Sequence, residues 1–312
     1  MKNKLLKMQS QDSGEELVDL DEINKKNKEE KKIKNERNNK NKIIYILSLI
    51  LIIAIIIIYL FSKNMNPKIN YKSVIIFDFD KTITEKDTFE EQLNLLKSKD
   101  EIDNLIKRIY SPERWDLIMA ETYNKFYDLN ITISDINFYI DSMEYTPGME
   151  ELFNFLKNKK DEYILVILSA GHLYQVNRVL KNKNLTSLID EIIAFNSYEK
   201  DGKIIIEKGN EFICDKCKGI GLCKNNEFNI LKNKYKEKNI IFKKIYYICD
   251  GVNDYCLARN LQTNDELLIR KDYSLDKYLY KDGFIKNIKC KVDKWNNGFD
   301  IINFLKIWKN KN

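Results

Sequence analysis

Two aspartates stand two positions apart directly after a short apolar run. The run occupies residues 73–77, and Asp78 and Asp80 follow it. One carboxylate in such a position can attack an electrophile as a nucleophile, and the other can protonate a leaving oxygen and later activate water. Two exposed loop aspartates would show the same spacing, so the pair is informative only together with the rest of the chain.

A second polar cluster, Ser169-Ala170-Gly171, follows the apolar run at residues 163–168. A hydroxyl and backbone N–H groups between a strand and a helix can hold phosphate oxygens. The same residues could serve only as a helix cap. This cluster, like the aspartate pair, is informative only together with the other polar clusters of the chain.

A third cluster begins at Asp250, after the apolar run at residues 245–248, and ends at Asp254. Asp250 could complete a shell of oxygen ligands for Mg²⁺, which would relieve the repulsion between a carboxylate nucleophile and an anionic phosphate. Gly251 permits a tight turn, and Asp254 could orient water ligands or a nearby lysine. The cluster therefore predicts a magnesium site.

A transferring phosphoryl group also needs a cation close to its oxygens. Lys218 and Lys224 both precede the third apolar run. Lys224 opens the helix that leads back to that run, so the helix dipole would add to its own charge, whereas Lys218 lies in a glycine-flanked loop. We predict that Lys224 binds the phosphate.

From residue 71 onward, short apolar runs alternate with helical patterns. Such runs are typical of strands buried on both faces of a parallel sheet, and the alternation predicts an open α/β fold with right-handed crossovers. In these folds the site lies beyond the carboxyl ends of the strands, so the three clusters should meet. Strands are predicted at residues 73–77, 163–168, 245–248 and 267–269, and helices at 149–156, 173–180 and 227–235.

Two segments depart from the alternation. Residues 85–145 carry apolar residues at helical spacing and predict an all-helical insertion just after the first strand. Residues 194–206, with Asp201-Gly202 at their centre, predict a β-hairpin.

The three clusters together resemble a known superfamily. Residues 78–84, which read DFDKTIT, resemble the first motif of the haloacid-dehalogenase-like phosphatases. Ser169 resembles the second motif, and residues 250–254 resemble the fourth. The order and the strand contexts match, and the resemblance covers roughly residues 71–275.

This resemblance implies a Rossmann-like core over residues 73–84 and 146–312, with a cap over residues 85–145. It also implies an aspartyl-phosphate at Asp78, with Asp80 as general acid and base. Mg²⁺ would be held by Asp78, the backbone carbonyl of Asp80 and Asp250. The remaining implied site residues are Ser169, Ala170, Gly171 and Lys224 for the phosphate, and Thr82, Asn253 and Asp254 in support.

A narrower resemblance links the cysteines around Lys224 and Cys256 to the phosphoethanolamine/phosphocholine and pyridoxal-phosphate phosphatase group. The chain departs from that group at Cys249 and Phe89, and its sequence at residues 169–172 is similar to phosphoserine phosphatases. The substrate is therefore expected to be a small phosphorylated metabolite of unassigned identity. A catalytically silent, membrane-tethered binding module and a protein phosphatase are the alternative interpretations.

Several residues near these motifs allow more than one role. His172, the only histidine, and Asp87 could each contact the substrate or simply start a helix. Cys214, Cys217 and Cys223 could bind zinc, form a disulfide or remain buried thiols, because a structural zinc site normally has four ligands.

The amino-terminal part of the chain has a different composition. Residues 1–42 are rich in Lys, Asn and Glu and predict a disordered tail. Residues 43–61 are 19 consecutive residues without a charge and predict a membrane-spanning helix, with a linker at residues 62–72. A cleaved signal or a core helix would also be apolar. The net charge of +6 comes without a nucleic-acid-binding motif, so no nucleic-acid partner is predicted.

Basic residues are unevenly distributed around the apolar segment. Residues 25–42 contain nine Lys or Arg, whereas residues 62–72 contain three. Because the more basic flank usually stays cytoplasmic, we expect a cytoplasmic amino terminus and a lumenal or extracellular catalytic domain.

Overall fold

The computed structural model describes residues 20–64, 69–109, 114–214 and 220–309. The chain forms two compact units, Met1–Lys68 and Ile69–Asn312.

The described part of the first unit forms one helix, α1 (Leu20–Asn64). It includes a stretch long and apolar enough to cross a membrane. The helix corrects the prediction of disorder for residues 20–42 and extends into the predicted linker, while residues 1–19 lie outside the described residues. Lys and Glu are good helix formers, and extending an existing helix avoids the cost of a new nucleus, so a polar segment can continue an apolar helix.

The second unit is built from strands and helices that alternate along the chain. Its strands are β1 (Asn70–Phe77), β2 (Tyr163–His172), β3 (Glu191–Phe195), β4 (Ser197–Lys200), β5 (Lys203–Ile206), β6 (Asn210–Ile213), β7 (Ile220–Gly221), β8 (Ile240–Cys249), β9 (Glu266–Arg270) and β10 (Lys291–Trp295). Its α-helices are α2 (Thr88–Gln92), α3 (Lys99–Ile109), α4 (Trp115–Asp128), α5 (Ile133–Asp141), α6 (Met149–Lys157), α7 (Leu173–Asn182), α8 (Lys224–Glu237), α9 (Tyr255–Ala258), α10 (Ser274–Tyr280) and α11 (Gly298–Lys309).

Six strands form one parallel sheet in the order β10-β9-β8-β1-β2-β3. Strand β1 is central, and its side chains alternate between the two faces. Val74 and Ile76 belong to one hydrophobic cluster, and Ile75 and Phe77 belong to the other. This two-residue period, with both faces buried, explains why β1 reads as a continuous apolar run. The parallel α/β fold is therefore confirmed.

The predicted hairpin is also present. Strands β4 and β5 pair antiparallel, and the turn residues Asp201 and Gly202 both have positive φ, 50° and 75°. That combination is the type I′ geometry that favours Asp-Gly. Strands β3 and β10, the two edge strands of the sheet, were not predicted. Strand β10 has no continuous apolar run, and the short apolar run of β3, residues 192–195, overlaps the start of the segment predicted as a hairpin.

Between β1 and α6 the described residues contain only helices as regular elements, α2 to α5 and one short 3₁₀ turn. An isolated β-bridge between Thr84 and Tyr145 joins the two ends of this insertion. Met119, Tyr123 and Phe126 of α4 are buried and join the hydrophobic cluster under the sheet. The insertion is therefore anchored to the core by apolar packing.

Two glycines allow α11 to pack against the start of α6. The Gly298 N–H donates to the Pro147 carbonyl at 2.8 Å, and a Cβ on Gly298 would lie 2.0 Å from the Gly148 carbonyl oxygen. Gly148 itself has φ +77°, a conformation that other L-residues seldom adopt. The close approach requires a residue without a side chain at position 298.

We expect Gly298→Ala to lower the free energy of unfolding by about 3 kcal/mol, because the added methyl group would overlap backbone atoms. The matched control is Gly202→Ala, where a Cβ would meet no atom within 4 Å and only the positive φ costs about 1 kcal/mol. Urea unfolding of residues 69–312, followed by circular dichroism, measures both. Equal losses in the two variants would contradict this account.

Candidate active site

The ends of three neighbouring strands bring the polar clusters together. Asp78 follows β1 and Asp250 follows β8, while Ser169 lies in the last part of β2. The carboxylate oxygens of Asp78, Asp250 and Asp254 lie within 4.8 Å of one another, and all three residues are buried. Residues that are far apart in sequence thus share one edge of the sheet, as expected for parallel strands.

The ammonium group of Lys224 lies between two of these carboxylates. Its Nζ is 2.6 Å from Asp78 Oδ1 and 2.5 Å from Asp254 Oδ1. Asp254 is held in turn by the Tyr247 hydroxyl, which donates to Oδ1, and by the Gly251 N–H, which donates to Oδ2 at 3.0 Å. Lys218, the other candidate lysine, lies outside the described residues.

Burial is the largest single influence on the pKa values of Asp78, Asp250 and Lys224. Loss of hydration raises the pKa of Asp78 to about 7, with a further contribution from Asp254, while Lys224 and the Phe79 N–H oppose the shift. Burial, Asp78 and Asp254 also raise the pKa of Asp250 well above its ordinary value. Burial alone lowers the pKa of Lys224, but the charges of Asp254 and Asp78 outweigh it and hold the pKa above the usual range.

The donor set fits a hard divalent cation. Three buried carboxylates share one edge of the sheet with the buried ammonium group of Lys224. A bound cation would offset both the burial and the mutual repulsion that raise the pKa values of Asp78 and Asp250. Carboxylate oxygens are the ligands that Mg²⁺ prefers. Asp254 already accepts from Lys224, Tyr247 and Gly251, so Asp78 and Asp250 are the better placed ligands.

Asp80 lies in the short loop that follows β1. Its Oδ1 accepts a hydrogen bond from the Thr88 N–H at 2.8 Å. Burial, followed by the charge of Asp87, raises its pKa to about 8. Burial and the charge of Asp87 therefore favour the protonated form of Asp80.

The Ser169-Ala170-Gly171 cluster faces Asp80. A Cβ on Gly171 would lie 3.2 Å from Ser169 Oγ and 3.3 Å from Asp80 Oδ2, so glycine permits the close approach of the two motifs. The Gly171 N–H donates to Ser169 Oγ at 2.9 Å. The Ala170 carbonyl accepts from the indole Nε1 of Trp115 at 2.8 Å, which links this cluster to helix α4 of the insertion.

Three further predicted residues surround these motifs. Thr82 is fully buried, and its hydroxyl lies 3.4 Å from Asp250 Oδ1. Asn253 is exposed, and its amide oxygen would lie 2.2 Å from a Cβ on Gly251. Asp87 caps α2 and lies 3.4 Å from Lys81 Nζ, and burial raises its pKa.

His172 is fully buried in a neutral hydrogen-bond network. Its Nε2 lies 2.7 Å from the Tyr123 hydroxyl, and its Nδ1 lies 3.0 Å from Ser197 Oγ. Burial lowers its pKa to about 3, so the ring stays uncharged at neutral pH. Because protein groups occupy both ring nitrogens, the geometry favours a positioning role over the substrate contact that the sequence left open.

Sequence reasoning missed other residues around the site. Arg270 is buried and donates to the Lys81 carbonyl at 2.6 Å and to Glu85 at 2.7 Å, which stabilises the loop after β1. Its position at the end of the predicted strand 267–269 was the available signal. Gln175 is buried, and its Nε2, which has no protein partner, would lie 2.5 Å from a Cβ on Gly171. No sequence pattern indicated this amide.

Comparison with known proteins agrees with the geometry. The family model with the description "Putative Phosphatase" matches residues 73–308. Pyridoxal phosphate phosphatase PHOSPHO2 of Bos taurus is 27% identical over 236 residues, which cover 75% of this chain and 97% of the bovine protein. The phosphoethanolamine/phosphocholine phosphatase of Gallus gallus is 20% identical over 205 residues, covering 65% of this chain and 76% of the avian protein.

Solved structures show the same fold. A phospho-aspartyl intermediate analogue of phosphoserine phosphatase superposes with a TM-score of 0.51 at 19% identity, covering 75% of this chain and 99% of that one. These matches and the buried carboxylates at the strand ends both indicate a phosphatase. The chain belongs to the Putative Phosphatase family and is a phosphoric monoester hydrolase of the haloacid-dehalogenase-like superfamily.

Proposed function

We propose that this protein is a Mg²⁺-dependent phosphomonoesterase that acts on a small phosphorylated metabolite through an aspartyl-phosphate on Asp78. One observation carries the proposal: the buried ammonium of Lys224 lies 2.6 Å from Asp78 and 2.5 Å from Asp254, beside Asp250. A nucleophile, a cation and a set of oxygen ligands thus share one buried cluster.

In the first step, Asp78 attacks phosphorus and the bond to the leaving oxygen breaks. Asp80, whose raised pKa favours its protonated form, gives its proton to that oxygen. Lys224 and Ser169 hold the phosphoryl oxygens, where negative charge builds up. Mg²⁺, held by Asp78, the Asp80 backbone carbonyl and Asp250, would supply charge neutralisation when bound.

In the second step, Asp80 takes a proton from a water molecule, which attacks the phosphorus of the aspartyl-phosphate. The bond to the Asp78 oxygen breaks, phosphate leaves and the free carboxylate is restored. The network around His172 and Tyr123 holds the insertion and the core together during both steps, which limits access of bulk water.

The helical insertion favours a small substrate over a protein substrate. Trp115 reaches the phosphate-binding cluster through its contact with Ala170, and Phe89 packs against Trp115 with ring centroids 4.9 Å apart. A helical insertion in contact with the phosphate-binding cluster disfavours a folded phosphoprotein as substrate. The presence of Asp78, Asp80, Lys224 and Asp250 together disfavours a silent binding module.

A substrate screen tests the proposal. The purified protein would be assayed for phosphate release with Mg²⁺ on pyridoxal phosphate, phosphoethanolamine, phosphocholine, phosphoserine and a phosphopeptide. The first three are chosen because relatives carry those names. Hydrolysis of the phosphopeptide alone, or of none of them, would contradict the proposed function.

We expect Asp78→Asn to abolish turnover, because the amide is a poor nucleophile. Asp80→Asn should lower kcat by at least ~100-fold, the low end of general acid–base contributions. Chelation of Mg²⁺ should silence the wild type. Steady-state kinetics measure all three, with Asp201→Asn in the exposed hairpin turn as the control. Near-normal turnover in Asp78→Asn would exclude the mechanism.

We expect Lys224→Ala to lower kcat at least ~100-fold, as loss of a preorganised electrostatic donor does in other enzymes, and Lys218→Ala to leave it nearly unchanged. Thermal denaturation of both variants separates lost catalysis from lost folding, since Asp78 and Asp254 lose their buried counter-ion. An active Lys224→Ala beside an inactive Lys218→Ala would refute the assignment.

We also propose a membrane orientation with a cytoplasmic amino terminus and a lumenal or extracellular catalytic domain. Its support is the excess of Lys and Arg in residues 25–42 over residues 62–72. We expect protease treatment of sealed microsomes to remove the amino-terminal tail and spare the domain beyond residue 71. Digestion of that domain without detergent, with the tail intact, would reverse the orientation.

A further inference from the structure

Three cysteines converge beside the proposed active site. Cys214, Cys223 and Cys256 are buried, and their sulfur atoms lie within 4.8 Å of one another. Sγ of Cys256 is 3.6 Å from that of Cys214 and 3.8 Å from that of Cys223. The sequence grouped Cys214 and Cys223 with Cys217, which lies outside the described residues, and the structure adds Cys256 to Cys214 and Cys223.

The spacing of the sulfur atoms matches metal coordination. A disulfide requires an S–S distance of about 2.05 Å, and no described cysteine forms one. Thiolates bound to zinc at about 2.3 Å in tetrahedral geometry lie about 3.8 Å apart, which is the edge of that tetrahedron. The observed separations of 3.6 and 3.8 Å therefore already suit a shared ion.

We propose that Cys214, Cys223 and Cys256 bind one Zn²⁺ ion as thiolates. Binding forms three Zn–S bonds and releases three thiol protons to solvent, so no oxidant or reductant is needed. In the part of the chain that the structure describes, no other Cys, His, Asp or Glu belongs to the group. Thiolates are soft ligands, which distinguishes this site from the oxygen-lined magnesium site.

The zinc site would join two elements that hold the proposed catalytic lysine. Cys223 directly precedes Lys224 and is the N-cap of α8, and Cys256 lies two residues after Asp254 in α9. An ion between these cysteines connects the chain on both sides of the Lys224–Asp254 contact. The site thus stabilises the position of Lys224 without touching the substrate.

Metal analysis of the full-length chain, purified in detergent without chelators, tests the proposal independently of phosphatase activity. We expect inductively coupled plasma mass spectrometry to find about one zinc ion per chain. The zinc should be lost in Cys223→Ser and in Cys256→Ser. Cys290→Ser is the matched control, because Cys290 is also buried but lies outside the cluster. Zinc content that is unchanged in both cluster variants would overturn the site.

Cobalt binding to the metal-stripped wild type provides a second measurement that does not depend on the folding of a variant. We expect one equivalent of Co²⁺ to produce thiolate-to-metal charge-transfer absorption and the intense visible bands of a tetrahedral ion, and Zn²⁺ to abolish both. Removal of zinc should also lower the melting temperature of the wild type. A stripped protein that shows no thiolate absorption with Co²⁺, or that contains a disulfide among these cysteines, would refute the proposal.

Discussion

The site depends on the ion pairs that the buried ammonium group of Lys224 makes with Asp78 and Asp254. Asp78, Asp250 and Asp254 bring three carboxylates into a space from which water is largely excluded, and an unpaired charge there would cost several kcal/mol. Lys224 lies within 2.6 Å of two of them. Strands β1 and β8 and the start of α8 position the carboxylates and the lysine. The Tyr247 hydroxyl donates a hydrogen bond to Asp254 Oδ1.

The same burial gives the two aspartates of the first motif different properties. Asp78 keeps Lys224 as a counter-ion, and its pKa rises only to about 7. Asp80 has no such ammonium partner among its main interactions and is repelled by Asp87, so its pKa rises to about 8. The difference in charged neighbours therefore makes Asp80 the easier of the two carboxylates to protonate.

A neutral polar network joins the insertion to the core. The Tyr123 hydroxyl lies between His172 and Gln92, and the Trp115 indole reaches Ala170. Burial keeps His172 uncharged, so these contacts add no charge beside the carboxylates. Each buried polar group in such a network depends on its partners, so these contacts tie the insertion to the end of β2.

The sequence by itself determined what is local: the apolar strand before Asp78, the helix after Gly148 and the Asp201-Gly202 turn each follow from neighbouring residues. The order of strands and clusters also predicted that Asp78, Ser169 and Asp250 would share a sheet edge. Only the tertiary structure paired Lys224 with Asp254 and Cys223 with Cys256, and brought Arg270 onto the loop after β1. Those contacts join residues 30 to 189 positions apart, and a side chain so distant in sequence becomes a partner only through the packing of the strands and helices that carry it.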